Sequence, residues 1–220
     1  MSLLSLAKGS PRRILEVGCG HGQSLAYFKQ KRGATFTVGI EYVPEVATVA
    51  RLDPNVDEVI TGDIESLSLR YPPGEFDLII AGHVLEHVKD PWAVVCKLRA
   101  LLKPGGQFIG SLPNVRNFKV SLPLLMYGKW KYEKEGILDW THTKFFTRMT
   151  IEDLLQSSGF RIERIVPEFA PKSALVNRYT LGVFRDLLGW TYNFSAFSRV
   201  DSKAQDARLF PDARSAGSGG

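Results

Sequence analysis

The stretch Glu16-Val17-Gly18-Cys19-Gly20-His21-Gly22 puts an acid and three glycines into seven consecutive residues, at the end of the strand-like run Arg12–Val17 and just before a helical pattern at Gln23–Lys31. Alternate glycines let the backbone turn sharply and let a ligand approach it without Cβ atoms in the way. A strand, a glycine turn and a helix in this order open an open α/β sheet, where ligands bind outside the carboxyl ends of the strands. Two ligand classes compete for such a loop. A dinucleotide brings a pyrophosphate, which favours a G-x-G-x-x-G spacing against a helix N-terminus. Here the third glycine comes one place early, and Glu16 would repel a pyrophosphate. An acid instead suits a ligand carrying a cationic amine or sulfonium, which leaves a dehydrogenase as the outside reading.

The rest of the chain supplies the sheet. Strand-length apolar runs alternate with helical patterns: a second strand at Thr35–Ile40, a helix at Pro44–Arg51, a third strand at Val56–Thr61, a fourth at Phe76–Ala81, a helix at Asp90–Leu102, and a fifth strand at Gln107–Ser111 after the Lys103–Gly106 turn. FDLIIA is apolar almost throughout, as a strand covered on both faces should be. From 112 to 148 the alternation breaks, with prolines at 113 and 123 and many aromatics, so this segment is an insertion that serves as a lid or substrate element. A helix capped by Thr150 (Thr150–Ser158) and a strand at Phe160–Val166 follow. With 44% hydrophobic residues in 220, residues 1–220 are expected to form one domain, and residues 205–220 a disordered tail. Two more acids fall at strand ends. Glu41 ends the second strand, where a carboxylate can accept both ribose hydroxyls, and Gly62-Asp63-Ile64 follows the third, where an acid and a backbone amide could read an adenine edge.

Charge and cysteine usage remove several classes. A net charge of +5 without long basic runs gives no reason to expect nucleic acid. Two cysteines, Cys19 and Cys96, make neither a disulfide framework nor a four-ligand site, so a reducing compartment is expected and a metal is not. No signal peptide or bilayer-length apolar run is visible, so the expectation is a soluble, cytoplasmic protein.

Taken together in this order, Glu16–Gly22, Glu41, Gly62-Asp63-Ile64 and FDLIIAGHVLEHVKDP at 76–91 resemble the class I S-adenosylmethionine-dependent methyltransferases over roughly residues 12–166. The resemblance implies a doubly wound, mostly parallel seven-stranded sheet with one reversed strand, Rossmann-like, here with an insertion after strand five. It implies S-adenosyl-L-methionine as cofactor and S-adenosyl-L-homocysteine as product. Carried over by position, Gly18, Cys19 and Gly20 pass the methionine part by backbone, with Glu16 near its amino group. Glu41 holds the ribose, Tyr42 covers the adenine face, Asp63 and Ile64 contact the adenine, and Gly82 and His83 flank the sulfonium. Glu86 and His87 belong to the LEH run, whose role in the family is often structural. Cys19 is read as a small residue, not as a reactive thiol.

On the acceptor side, GILDWTHTKFFT at 136–147 and LPNVRNF at 112–118 resemble segments of a subgroup that methylates glycans and small metabolites. A methyl group leaves a sulfonium easily once a nucleophile is in line, and a base helps when the acceptor is a hydroxyl. His142 is the candidate base and His83 the alternative; Asn114, Arg116, Trp140 and His142 are the candidate acceptor contacts. Trp and Tyr alternate with Lys at YGKWKY, residues 127–132, which either stacks on a ligand or packs as a lid. The reading is methyl transfer to a small-molecule or glycan-like acceptor, at oxygen, with a homodimer as a candidate assembly. Its alternative is a non-catalytic module that binds the cofactor or a partner protein on the same fold. Two features depart from the family pattern: only about eleven residues precede the first strand, and the reversed strand has FSAFSRV at 194–200 as its nearest fit.

Overall fold

In the computed structural model, residues 3–199 are described; the tail expected at 205–220 and Val200 lie outside them. A 3-10 turn at Leu3–Leu6 precedes β1 (Arg13–Val17), α1 (Gln23–Arg32), β2 (Phe36–Glu41), α2 (Pro44–Arg51), β3 (Glu58–Thr61), β4 (Phe76–Gly82) and α3 (Pro91–Leu101). Then come β5 (Leu102–Pro113), α4 (Phe118–Tyr127), α5 (Arg148–Ser157), β6 (Phe160–Glu168), α6 (Pro171–Tyr179), α7 (Arg185–Leu188) and β7 (Thr191–Ser198). The sheet has seven strands in the order β3-β2-β1-β4-β5-β7-β6, with β7 antiparallel to both of its neighbours. β1 pairs in parallel with both β2 and β4, so the chain winds outward in both directions from this pair. The loops leaving β1 and β4 therefore diverge and open a crevice at the carboxyl ends.

Alternate residues along the strands supply two cores. Leu15, Val17, Ile79 and Ala81 join one buried cluster, and Ile14, Leu78 and Ile80 the other, as side chains on opposite faces of a covered sheet must. Helix ends follow local chemistry. Asp90 caps α3 by accepting from the Ala93 amide, with Pro91 at the first helical position, and Gly33 ends α1 at φ 72°.

The structure moves several sequence-based boundaries. β5 begins at Leu102 and not Gln107, because Phe76 pairs with Leu102 and Leu78 with Gln107, leaving Lys103–Gly106 as a bulge inside the strand. The cap of α5 is Thr147, whose hydroxyl accepts from the Thr150 amide, and not Thr150 itself. The reversed strand is β7, which contains FSAFS but starts at Thr191. Its weak alternation has a physical cause: it lies between β5 and β6 with nearly every residue buried, and its polar residues are hydrogen-bonded. Thr191 donates to the Leu112 carbonyl, Asn193 to Glu168 and Ser195 to Glu163.

The 112–148 segment is more ordered than its sequence suggests. It contains α4 and a small core of Val120, Ile137 and Leu138, against which Val115, Trp130 and Phe145 pack. Trp130 meets Phe145 in a T-shaped contact at 5.0 Å, so it packs on the small core of the insertion. Among the described residues no helix is long and apolar enough to cross a membrane.

Candidate active site

Parallel pairing brings the ends of β1, β2, β3 and β4 to one edge, and the acids follow. The three loop glycines have three different duties. A Cβ on Gly18 would lie 2.5 Å from Val84 Cγ2, so this residue lets the β1 and β4 exits approach each other. A Cβ on Gly22 would meet Val56 at 2.8 Å, where α1 enters the core. Gly20, at φ 54°, has nothing within 4 Å of that position, so its surface is open to a ligand.

The loop amides are largely used within the protein. Gly18 and Cys19 both donate to the Ile40 carbonyl (2.8 and 3.1 Å), which corrects a picture in which those amides hold a ligand. Gly20 donates to Glu41 Oε2 at 2.9 Å and Val43 to Glu41 Oε1 at 3.0 Å. Glu41 thus ties the first loop to the second while each of its oxygens keeps acceptor capacity. The Cys19 thiol is buried and pushed up to about 12 by that burial and by Glu16 and Glu41, so it stays protonated, as a packing residue should.

Glu16 is the unusual member. Its Oε2 is buried without a hydrogen-bond partner. Burial pushes its pKa up to about 8; the Ser24 hydroxyl pulls the other way and the Glu41 charge adds to the rise. A carboxyl in this state holds its proton near neutrality and ionises for a cation delivered to it.

At the far side Tyr42 is 72% exposed, with its ring free to be covered. Asp63 accepts from the Glu65 amide at 2.9 Å. The Ile64 side chain is buried in the main core, so a contact from it to a ligand is limited to backbone. Gly82 lies against Leu3 of the opening turn, whose Cδ2 is 3.1 Å from a Cβ built there.

The exit of β4 carries the second constellation. His83 stands at φ 54°, in the left-handed region, at a cost of about 1–2 kcal/mol for a residue with a Cβ. Its Nδ1 is 3.1 Å from Oε1 of Glu86, which is 1% exposed, while Glu86 Oε2 has no partner. The 141–144 loop is pinned here, since Thr143 and Lys144 amides both donate to the Glu86 carbonyl (2.8 and 3.1 Å) and the Thr143 hydroxyl donates to Val88 O (2.7 Å). Consequently His142 meets His87 edge to face at 4.8 Å between ring centres. His142 Nδ1 is 3.0 Å from the Ile137 carbonyl, and His87 Nδ1 is 3.1 Å from Thr141 Oγ1. Sequence reasoning singled out His142 but missed its partnership with Glu86 and His87, which only the fold creates.

Among the acceptor-side residues, Asn114 is corrected. It is fully buried, donates to the Asp186 and Gly189 carbonyls at 2.7 and 2.9 Å, and accepts from the Arg116 amide at 3.0 Å. It holds the β5 exit to the α7–β7 return and is buried out of a substrate's reach. Arg116 faces Asp186 at 3.7 Å and is otherwise exposed, and Trp140 is 71% exposed beside a shallow recess that Lys131, Tyr132 and Lys134 also line.

Comparison with known proteins agrees with this architecture. A family model described as a methyltransferase domain matches residues 1–165. A ubiquinone biosynthesis O-methyltransferase of Neisseria meningitidis is 31% identical over 159 residues, covering 69% of this chain and 64% of that relative; one from Cereibacter sphaeroides is 32% identical over 152 residues, covering 67% and 59%. The chain thus spans somewhat less than two thirds of the length of these relatives. The crystal structure of an S-adenosylmethionine dependent methyltransferase from Mesorhizobium loti superposes with a TM-score of 0.63 at 20% identity, covering 89% of this chain and 95% of that one. The chain thus belongs to the class I methyltransferase family.

Proposed function

We propose that the protein transfers a methyl group from S-adenosylmethionine to an oxygen of a small-molecule acceptor, leaving S-adenosylhomocysteine. The observation that carries this reading is Glu16, a buried carboxyl with an unpartnered oxygen at the crevice where the sheet winding reverses. Such a group suits an amino-acid ammonium and is hostile to a pyrophosphate. Glu41 keeps one lone-pair site on each oxygen for two neighbouring ribose hydroxyls. Tyr42 would cover the adenine, Asp63 and the Ile64 backbone would meet its edge, and the open face of Gly20 with Gly18, Cys19, Gly82 and His83 would frame the methionine and sulfonium. When bound, the cofactor supplies a methyl group on a positively charged sulfur.

This chain's own contribution is then to exclude water, orient the acceptor and engage its hydroxyl. The relatives' names support oxygen as the acceptor atom. His83 would make that contact, a reading supported by its position at the β4 exit, by Glu86 beside its Nδ1 and by its half-exposed side chain. The 112–148 segment acts as the lid, with Trp140 as the face on which a flat acceptor or a sugar would stack and Arg116 at its rim. The free thiols of Cys19 and Cys96 accord with a cytoplasmic setting.

Calorimetry with S-adenosylmethionine, S-adenosylhomocysteine and NAD tests the cofactor. Micromolar binding of the first two and none of NAD is expected, and no binding of the first two overturns the reading. Labelled methyl transfer to a panel of phenolic and sugar hydroxyls then tests the reaction, with His83→Ala expected to lower turnover at saturating cofactor at least about tenfold.

A further inference from the structure

Glu86, His87 and His142 each present one ligand-type atom, and these atoms lie within 4.8 Å of one another. The hydrogen-bond network assigns the imidazole tautomers. Thr141 Oγ1 donates its single hydrogen to Asp139 Oδ1 at 2.7 Å, so toward His87 it can only accept, and His87 Nδ1 carries the proton. The Ile137 carbonyl can only accept, so His142 Nδ1 carries one as well. Each ring is left with Nε2 as its unprotonated nitrogen. The carboxylate adds acceptors of its own, including Oε2, buried and without a partner. The three residues lie on loops locked together by the Thr143 and Lys144 amides, and each brings an acceptor, the Nε2 of either neutral ring or the carboxylate. Asp139, held below the usual carboxylate range by the Thr141 hydrogen bonds, stands behind His87 as the outer acid of a carboxylate–hydroxyl–imidazole relay.

The geometry points to a site for one divalent transition-metal ion held by Glu86, His87 and His142. Two imidazoles and one carboxylate suit zinc, iron, cobalt or manganese, whereas magnesium and calcium take oxygens. Ligand atoms bonded to one ion at about 2.0–2.2 Å stand roughly 3–4 Å apart, so the three side chains need to close by only about 1 Å. Three protein ligands leave a coordination position open, and on the exposed His87 side it is accessible from solvent. Glu86 also contacts His83, so an ion here sits one residue away from the group placed against the acceptor hydroxyl. Cysteine spacing, on which no metal is expected, does not report this site, because its ligands are a glutamate and two histidines from separate segments.

The site rests on the cluster itself and not on methyl transfer, so it is tested without cofactor or acceptor. Chelator-stripped protein is titrated with Zn2+, Co2+ and Mg2+ by calorimetry, with the visible absorption of Co2+ reporting coordination. One equivalent of Zn2+ and of Co2+ is expected, with Mg2+ far weaker. His142→Ala and His87→Ala should each weaken binding by more than about 100-fold, beyond the loss typical of an outer partner. His21→Ala, which removes an imidazole from elsewhere, should bind as the parent does. Circular dichroism confirms folding of each variant, and His142→Ala, at a half-buried position, keeps the test intact if a change at buried Glu86 does not fold. No binding by the parent, or equal binding by parent and His142→Ala, or Mg2+ bound as tightly as Zn2+, overturns the assignment.

Discussion

Glu16 and Glu86 invite comparison because both are buried glutamates at sheet exits and both leave Oε2 without a partner. Their surroundings differ in what they can accept. Glu16 lies among apolar strand residues near a second acid, Glu41, and answers burial by holding a proton. Glu86 lies among imidazoles whose remaining nitrogens are acceptors as well. The first is a place for an organic cation that can share or displace one proton, and the second a place for an ion that gathers several lone pairs at once. An unsatisfied buried acid is thus informative only together with what its neighbours donate.

The largest effect that could break this contrast is the pH dependence of stability. With its folded pKa near 8 against an ordinary 4.5, Glu16 keeps a proton in the folded protein that the unfolded chain has already lost. Stability from this group is full below about pH 4.5 and drains away as pH climbs through 8, by on the order of 5 kcal/mol. Urea unfolding of the cofactor-free protein at pH 5.5 and 8.5 should show about 3 kcal/mol of that loss, and Glu16→Gln should flatten it. A parent profile as flat as the variant's would remove the special state of Glu16. In the same variant at pH 8, S-adenosylmethionine should bind roughly 100- to 1000-fold more weakly, because a buried charged partner has been removed.

Glu41→Ala is next in size. Two charge-assisted hydrogen bonds of about 1.5–3 kcal/mol each are at stake, so calorimetry should read a loss of at least about 100-fold in cofactor affinity. Binding as tight as the parent's would sink the ribose assignment and leave Glu41 as a loop tie for the Gly20 and Val43 amides.

How legible these sites were depends on how far apart their residues lie in the chain. Glu16, the glycines and Glu41 each end a strand whose pattern is local, so their shared edge follows once the sheet is parallel. The duties of Gly18 and Gly22 are less visible, because Val84 and Val56 come from distant segments. Asn114 read as a rim residue because the return that buries it, Asp186 to Gly189, lies in a stretch with little pattern of its own. β7 was obscured by burial on both faces, which erases alternation. The histidine cluster was hidden for the same reason as Asn114. His87 and His142 are joined by the two amides that Thr143 and Lys144 donate to Glu86, and no spacing rule reports such a contact.

The smallest expected effect separates the two glutamates most finely. Thr141→Val keeps the shape of the side chain but removes the oxygen that accepts from His87 and donates to Asp139. Without it His87 loses the group that selects its tautomer, and its Nε2 is free to carry the proton instead. Outer partners of this kind are worth about 10–100-fold in metal affinity, and for an exposed hydroxyl the lower end, about tenfold, is expected. Cofactor affinity should not move, because no cofactor contact passes through Thr141. A variant that loses both affinities together would mean that the 141–144 loop acts as one body with the crevice. A tenfold loss for Co2+ alone would show the two glutamates to be independent cation sites on one rim.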